Sequence, residues 1–455
     1  MPAPSSGEYA LELVATAATG TDMNASGAVV GSAYVDTGCG SFCLPPRESV
    51  VWRDGVRLVL PTLPGWNGIT VRAIDDAGVV VGFAGFPGTA TRAVVWRPVG
   101  GSYEILDLGT LPGTTSAEAV GIDEQGRVVG WSTTLTFPPN GSPFLWSEAT
   151  GLLDLSSLGF PDEQPVAISP GGTVATVASW YRLDVPGSAV PLAPPPSGYL
   201  VTSQPAAIND AGDQARFLVR TSGQTLVYPY RYHHEGAWQQ ISTSPTGNLS
   251  RYGIGSIDAQ GTITATVTST GVIAFGPDGL AQPLAAFLAA PYAYPDLAAT
   301  PVLAAGGRNA RGEILASVLL GRSARLVRLV PASPCLAGCM RVEGLWMDAL
   351  AVDDPAAPGS CAPSLSARND VLVGLTVRSA SGAPLSGVQV SGRFLDDYWT
   401  SHAVTGTTDA GGFVTFSYTG LCGVGAIEFL VEDVHRPGFE LDRTAGNLSV
   451  WAIPN

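Results

Sequence analysis

The chain contains no lysine: all 23 of its basic residues are arginine, set against 38 Asp and Glu, for a net charge of −15 over 455 residues. Without lysine there is no Schiff-base amine and no phosphate-loop ammonium. An acidic surface without basic stripes repels phosphate backbones, which argues against nucleic acid and anionic membrane as partners. No apolar run approaches the roughly eighteen residues needed to cross a bilayer, so no membrane span is expected. No G-x-S-x-G elbow is present to pair with one of the four histidines. The opening MPAPSSGEYALELVATA lacks a basic start and an apolar stretch, so no signal peptide is visible. A secreted protein with this start is one whose leader has been trimmed and a Met added.

Turn formers, by contrast, abound. There are 56 Gly and 36 Pro beside 45% hydrophobic residues, which describes many short strands punctuated by turns rather than helices. The length exceeds what one core usually serves, so two domains, or a repeat array with an appendage, are expected.

One short pattern recurs: an aliphatic or small residue, two or three turn formers, Gly, then a strand-like run. Seven copies read DMNASGAVVGSA, AIDDAGVVVGFA, GIDEQGRVVGWS, AISPGGTVATVA, AINDAGDQARFL, SIDAQGTITATV and GRNARGEILASV. Their turn glycines are Gly27, Gly78, Gly126, Gly172, Gly212, Gly261 and Gly312, spaced 40 to 51 residues apart. Asp or Asn followed by Gly builds a tight hairpin, because Gly accepts positive φ and the Asx side chain bonds its own backbone. Downstream of the first three hairpins come strands ending in Trp52, Trp96 and Trp146, then a fourth strand running into a turn such as Asp107 to Gly113. Copies four to six lose this Trp, with Ala189-Val190-Pro191-Leu192, Tyr230-Arg231-Tyr232 and Ile273-Ala274-Phe275 in its place.

A period in the forties with four strands per unit predicts a seven-bladed β-propeller over residues 1–332, since a lone four-stranded sheet exposes faces that a ring of sheets buries. Four residues after each turn glycine stand Gly31, Gly82, Gly130, Thr176, Arg216, Ala265 and Ala316, mostly small, as a crowded contact between neighbouring blades would require. The seventh copy lacks a fourth strand. Tyr9-Ala10-Leu11-Glu12-Leu13-Val14 lies where an outer strand belongs, and is predicted to complete the last blade and tie the ring shut.

The runs AIDDAGVVVGFA…AVVW…DLGTLPG and GIDEQGRVVGW…PFLW…DLSSLG resemble the bacterial extracellular HAF-type repeat, AxGINxxGxVVGxS…AFLW…DLGTLGG. The resemblance spans roughly residues 9 to 330. It implies a secreted or surface-associated protein and carries no catalytic residues with it.

After Pro331 the rhythm changes. Strand-like segments from Arg341 to Ile453, separated by turns such as Asp409-Ala410-Gly411-Gly412, predict an immunoglobulin-like β-sandwich over residues 333–455. Its VRSASGAPLSGVQVSGRF…TTDAGGFVTFSYTG resembles bacterial Ig-like modules, which serve as spacers or adhesive parts. Six cysteines pair by proximity as Cys39 with Cys43, Cys335 with Cys339, and Cys361 with Cys422, three disulfides expected of an oxidising compartment. A zinc site from the two C-x3-C pairs is the sharper alternative, but no His or further Cys flanks either pair.

Candidate chemistry is sparse, and neither a cofactor nor a metal is expected. His402 and His435 stand alone; His233 and His234 would alternate faces of a strand, so they do not readily share a metal. With Tyr228, Tyr230 and Tyr232 they form what reads as an exposed aromatic edge for stacking on a sugar or peptide. Asp75-Asp76, Asp353-Asp354 and Asp396-Asp397 could serve glycoside hydrolysis or calcium, but the first lies in a repeat turn and none fits a calcium loop. The sequence therefore points to a non-enzymatic secreted or cell-surface protein that binds carbohydrate or another protein. A polysaccharide-active enzyme with its site at the propeller axis and a self-assembling surface-layer or fibre subunit are the alternatives.

Overall fold

The computed structural model describes residues 9–35, 46–86, 88–135, 140–202, 207–221, 226–241, 253–267, 271–275, 281–283, 302–320, 323–331, 335, 337–352, 368–395, 401–422, 427–446 and 448–452. They are almost entirely β-strand, and none forms a helix long and apolar enough to cross a membrane.

Seven antiparallel sheets follow one another up to Pro331. The first is built from Ala18–Met23, Val29–Tyr34, Arg47–Arg53 and Val56–Val59, and the next five repeat this up-and-down order. The seventh comprises Val302–Arg308, Ile314–Leu320 and Ser323–Pro331, and its fourth strand is Tyr9–Thr16 from the other end of the chain. Tyr9 faces Pro331 and Thr16 faces Arg325 across this seam. The first strands of neighbouring sheets touch in succession, and that of the seventh touches that of the first, so the sheets close into a ring.

Six of the seven gaps between sheets show an apolar cluster of their own among the described residues. Val30 and Val51 of the first sheet pack with Val71, Val80 and Trp96 of the second, and Val81 and Val95 of the second pack with Ala119, Phe144 and Trp146 of the third. Register aligns the aromatic position around the ring: Trp52, Trp96, Trp146, Tyr181, Tyr232 and Phe275 face the residue two after their turn glycine, and Leu329 completes the set. Copies four to six thus lose Trp but keep an aromatic there, and only the fourth copy differs from expectation, with Tyr181 rather than Ala189-Val190-Pro191-Leu192 at the position. In the fourth sheet the third strand is Ser179–Arg182, while Val190–Pro191 is the fourth.

The small residues four after the turn glycine are also explained differently from expectation. A Cβ on Gly82 would lie 2.0 Å from the Thr70 carbonyl oxygen, and one on Gly31 2.1 Å from that of Thr19; both oxygens belong to the same sheet. In six of the seven sheets the first strand bulges beside this residue, as between Gly20 and Asp22 opposite Gly31 and between Val71 and Ala73 opposite Gly82. The bulge pushes a carbonyl at the second strand, so the crowding arises within the blade rather than between blades.

The fifth sheet breaks the pattern. Its first strand comes in two pieces, Tyr199–Val201 and Ala207–Ile208, and Arg216 sits opposite the interval between them. Arg216 is buried, its Nε donates to Gln214 Oε1 at 2.7 Å, and its Nη2 donates to the Thr176 carbonyl of the fourth sheet.

Beyond the ring, a disulfide joins Cys335 to Cys339. The expected Cys39–Cys43 and Cys361–Cys422 bridges lie outside the described residues. Two four-stranded sheets then stack. One orders Phe413–Cys422, Arg368–Ser379, Cys339–Val352 and Glu440–Leu441; the other orders Ser401–Thr407, Gln389–Leu395, Ile427–His435 and Ser449–Ala452. Val373, Leu375 and Phe416 meet Val390, Phe394 and Phe429 between them, with the Phe416 and Phe429 rings stacked at 5.4 Å. This core continues without a break into Tyr9, Leu11, Val327 and Leu329 of the seam sheet.

Candidate functional site

The hairpins joining the first and second strands of the seven sheets gather at one end of the ring. Asn24, Asp75, Asp123, Ser169, Asn209, Asp258 and Asn309 occupy one position in them, and the side-chain oxygen of each accepts the backbone N–H four residues on, at 2.7 to 3.0 Å. The glycine three residues on takes φ between 74° and 98° and returns its own N–H to the carbonyl of that residue. This is an Asx turn made six times, with the Ser169 hydroxyl making the equivalent turn in the fourth sheet.

The turns are also bonded to one another. Asn24 Nδ2 donates to the Asp75 carbonyl at 3.0 Å, the Asp76 N–H to Glu124 Oε2 at 3.0 Å, and the Glu124 N–H to the Pro170 carbonyl at 2.9 Å. Thr173 Oγ1 donates to the Asp210 carbonyl, Asn209 Nδ2 to the Asp258 carbonyl, and Arg308 Nη1 to Asp258 Oδ2. Asn309 Nδ2 donates to the Asn24 carbonyl at 3.0 Å and completes the circuit.

Both signs of charge stand on this rim. Asp22, Asp75, Asp76, Asp123 and Glu124 fall in the first three sheets with Arg127, paired to Asp123 at 2.7 Å, and Arg308, Arg311 and Arg328 fall in the seventh with Glu313. Burial pushes the Asp22 carboxyl up to about 6, even though it accepts the N–H groups of Ile74 and Met23; nearby Asp76 adds to the rise. Burial likewise raises Asp75 and Glu124, and neighbouring carboxylates reinforce both shifts. Arg328 is spent on the seam, donating to Glu12 Oε2 at 2.6 Å and to the Gly27 carbonyl at 2.9 Å. The acidic pair Asp75-Asp76 is therefore part of the rim's bonding, with Asp76 Oδ1 accepting the Ala25 N–H at 2.6 Å. Asp353-Asp354 and Asp396-Asp397 lie outside the described residues.

Tyr228, Tyr230 and Tyr232 are brought together, but not on an exposed edge. They lie on Val227–His233, an interior strand of the fifth sheet, and all three are buried. The correction follows from the repeat: Tyr232 fills the position held by Trp in the first three sheets, on the face that packs between sheets. Tyr199 meets Tyr228 and Tyr230 edge-on at 5.6 Å each, and Trp238 meets Tyr232 at 4.8 Å. Burial pushes Tyr230 up to about 12. Tyr232 and Trp238 clamp one residue of the chain itself: the Ala193 N–H donates to the Tyr232 hydroxyl at 3.0 Å and Trp238 Nε1 donates to the Ala193 carbonyl at 2.9 Å.

His233 ends the strand and His234 begins the turn after it, and the two bond different partners rather than alternating on one strand. His233 Nε2 lies 3.3 Å from Gln239 Oε1, and His234 Nδ1 lies 2.8 Å from Asp213 Oδ1. Against the cost of burial, the His234 N–H and imidazole hold Asp213 below the usual carboxylate range. Among the described residues, no group of three or more His, Cys, Asp or Glu side chains is placed to hold a metal ion.

The rim's cross-links are absent from the expectation above, although one signal of them is in the sequence. Asn and Asp alternate at a position where either oxygen would cap the turn, and only Asn has a donor left for the next hairpin.

No protein-family model matches the chain, and no curated protein does. Among solved structures, a puromycin hydrolase is similar at 14% identity and TM-score 0.44, over 82% of this chain and 61% of that one. A prolyl endopeptidase structure is similar at 11% identity and TM-score 0.40, over 84% of this chain and 55% of that one. The extracellular domain of a proposed hybrid two-component system from B. thetaiotaomicron is similar at 12% identity and TM-score 0.37, over 95% of this chain and 53% of that one. The chain thus spans between 53% and 61% of the length of these structures.

Proposed function

We propose that this is a non-enzymatic, secreted or cell-surface binding and scaffold protein. In this reading residues 1–332 form a seven-bladed β-propeller of HAF-type repeats, residues 333–455 an immunoglobulin-like sandwich, and exposed loops with the C-terminal module contact carbohydrate or another surface protein. The observation that carries it is the bonded rim: Asn24, Asn209, Asn309, Asp76 and Glu124 spend their polar atoms on backbone groups of neighbouring turns. Side chains committed in this way build a rigid frame on which loops can be varied. The test is a glycan array and a surface-protein pull-down on the full chain, with its mass measured by light scattering. A monomer that retains neither kind of ligand overturns the proposal; particles that grow with concentration replace it with a surface-layer or fibre subunit.

A second reading, a polysaccharide-active enzyme working at the axis, is favoured by the raised carboxyl groups of Asp22, Asp75 and Glu124. A carboxyl raised by burial, as that of Asp22 is to about 6, is what acid catalysis of glycoside cleavage uses. It requires release of reducing ends from a polysaccharide and loss of that release in Glu124→Gln.

A further inference from the structure

The sheet of Cys339–Val352, Arg368–Ser379 and Phe413–Cys422 turns one face to solvent, and its side chains are arranged in rows. Trp346, Gly374 and Thr415 stand side by side on the three strands; Asp348, Leu372 and Ser417 form the row on one side, and Glu343, Thr376 and Phe413 the row on the other. Trp346 is 40% exposed, a high value for so large an apolar side chain, and Leu372 and Phe413 are exposed beside it.

Gly374 sets how Trp346 lies. A Cβ at residue 374 would meet Cε2, Cζ2 and Nε1 of the indole at 2.5, 2.5 and 2.6 Å, so any larger residue would push the ring off the strand. Glycine within a strand weakens it and packs no side chain of its own. Here it lets the indole lie against the sheet with part of its surface toward water, already placed before any ligand arrives.

We propose that this face binds a neutral polysaccharide, with Trp346 as the platform on which a sugar ring stacks. The inference rests on the binding reading above and names its ligand class. An indole face suits the C–H side of a pyranose, while hydroxyls and a carboxylate in the adjoining rows, on Thr415, Ser417, Thr376 and Asp348, suit the hydroxyls at its rim. Trp346, Leu372 and Leu350 stand exposed in successive rows, with the hydroxyls of Thr415 and Ser417 beside them, so apolar and hydrogen-bonding groups are interleaved on this face. Charge decides which glycans fit. Glu343 in the row opposite is paired with Arg341 at 2.6 Å and Arg378 at 3.4 Å, which leaves Asp348 in the next row and the −15 of the whole chain to disfavour uronic or sulfated polymers. Phe413 stands two strands away, about 10 Å across the sheet, where it would meet a later unit of an extended glycan.

The experiment is affinity electrophoresis of the full chain through gels containing galactomannan, xyloglucan or hydroxyethyl cellulose, with polygalacturonate as the anionic control. Retardation is expected in at least one neutral gel and not in polygalacturonate. It should fall at least tenfold in Trp346→Ala and be largely retained in Trp346→Tyr, each checked for unchanged thermal unfolding. Gly374→Ala, which displaces the ring without removing it, should also weaken retardation. Binding to a neutral polymer that survives Trp346→Ala overturns this inference while leaving the general binding reading standing. Retardation by none of the three polymers overturns it too, and the glycan array and pull-down then decide the broader reading separately. A dimer that Trp346→Ala converts to monomer likewise overturns it, making the face a contact between copies.

Discussion

Asn309 Nδ2 and the main-chain carbonyl of Asn24 are hydrogen-bonded at 3.0 Å, although 285 residues separate them in sequence. The bond joins the seventh turn to the first and is the last step of the circuit around the rim. Asn309→Asp keeps the oxygen that accepts the N–H groups of Arg311 and Glu313. It removes the donor to Asn24 and sets a carboxylate against Glu313 Oε2, now 2.7 Å from the Asn309 amide. A loss of about 1–3 kcal/mol is expected by urea denaturation. Asn209→Asp breaks the equivalent bond to Asp258 and sets a carboxylate against that of Asp213, which the Asn209 side chain also bonds, and should cost a similar amount.

Deleting residues 1–16 removes the fourth strand of the seventh sheet. Ser323–Pro331 then loses the partner that runs from Tyr9 to Thr16, and Arg328 loses Glu12. A bare, largely apolar edge invites pairing with a second chain. The truncated protein should elute as dimers or larger species in size-exclusion chromatography with light scattering, and a peptide of residues 9–16 should restore the monomer.

The repeat was legible because Asp or Asn followed by Gly states the turn directly, and seven copies of one turn state a ring. The closing strand was legible because the seventh copy is one strand short. The bulges were not, since a bulge appears in sequence only through its opposite neighbour, and Gly31 or Gly82 can equally mean a close approach by another blade. Tyr230-Arg231-Tyr232 was misread as an edge because tyrosine carries a hydroxyl suited to a surface; only register shows Tyr232 where the first three sheets place Trp. Trp346 stood in view within a predicted strand, but its solvent-facing placement depends on Gly374 of the neighbouring strand, a pairing the sequence does not state.

Asp22 makes stability depend on pH in a definite direction. Its carboxyl is raised from 3.8 to about 6, first by burial, so between these values the folded protein keeps a proton that the unfolded chain has released. The contribution of this group is complete below the unfolded value and is lost as pH rises through 6. Ser256 holds the same place in the sixth sheet and accepts the Arg308 N–H at 2.8 Å, as Asp22 accepts that of Ile74 at 3.0 Å. Asp22→Ser should therefore keep the cap and flatten the fall in melting temperature between pH 4 and pH 7 (roughly the span set by the two values). A fall as steep in the variant as in the parent would assign the slope to another group.

Arg325 and Glu428 tie the seam sheet to the C-terminal sandwich. Arg325 lies on Ser323–Pro331, Glu428 on Ile427–His435, and both are buried, at 3% and 5% exposure. Their pairing cannot be credited with its full Coulomb attraction, because both charges have left water. Removing one partner is another matter. Glu428→Leu strands the Arg325 guanidinium in an apolar setting, and a cost of about 3–5 kcal/mol is expected. Since the apolar cluster running from Leu329 into Val377 and Val390 joins the same two units, the loss should also uncouple them and split one calorimetric transition into two. Replacing both residues by leucine removes the stranded charge and should recover most of the stability and the single transition. If Glu428→Leu unfolds as cooperatively as the parent, the apolar contacts alone couple the sandwich to the ring.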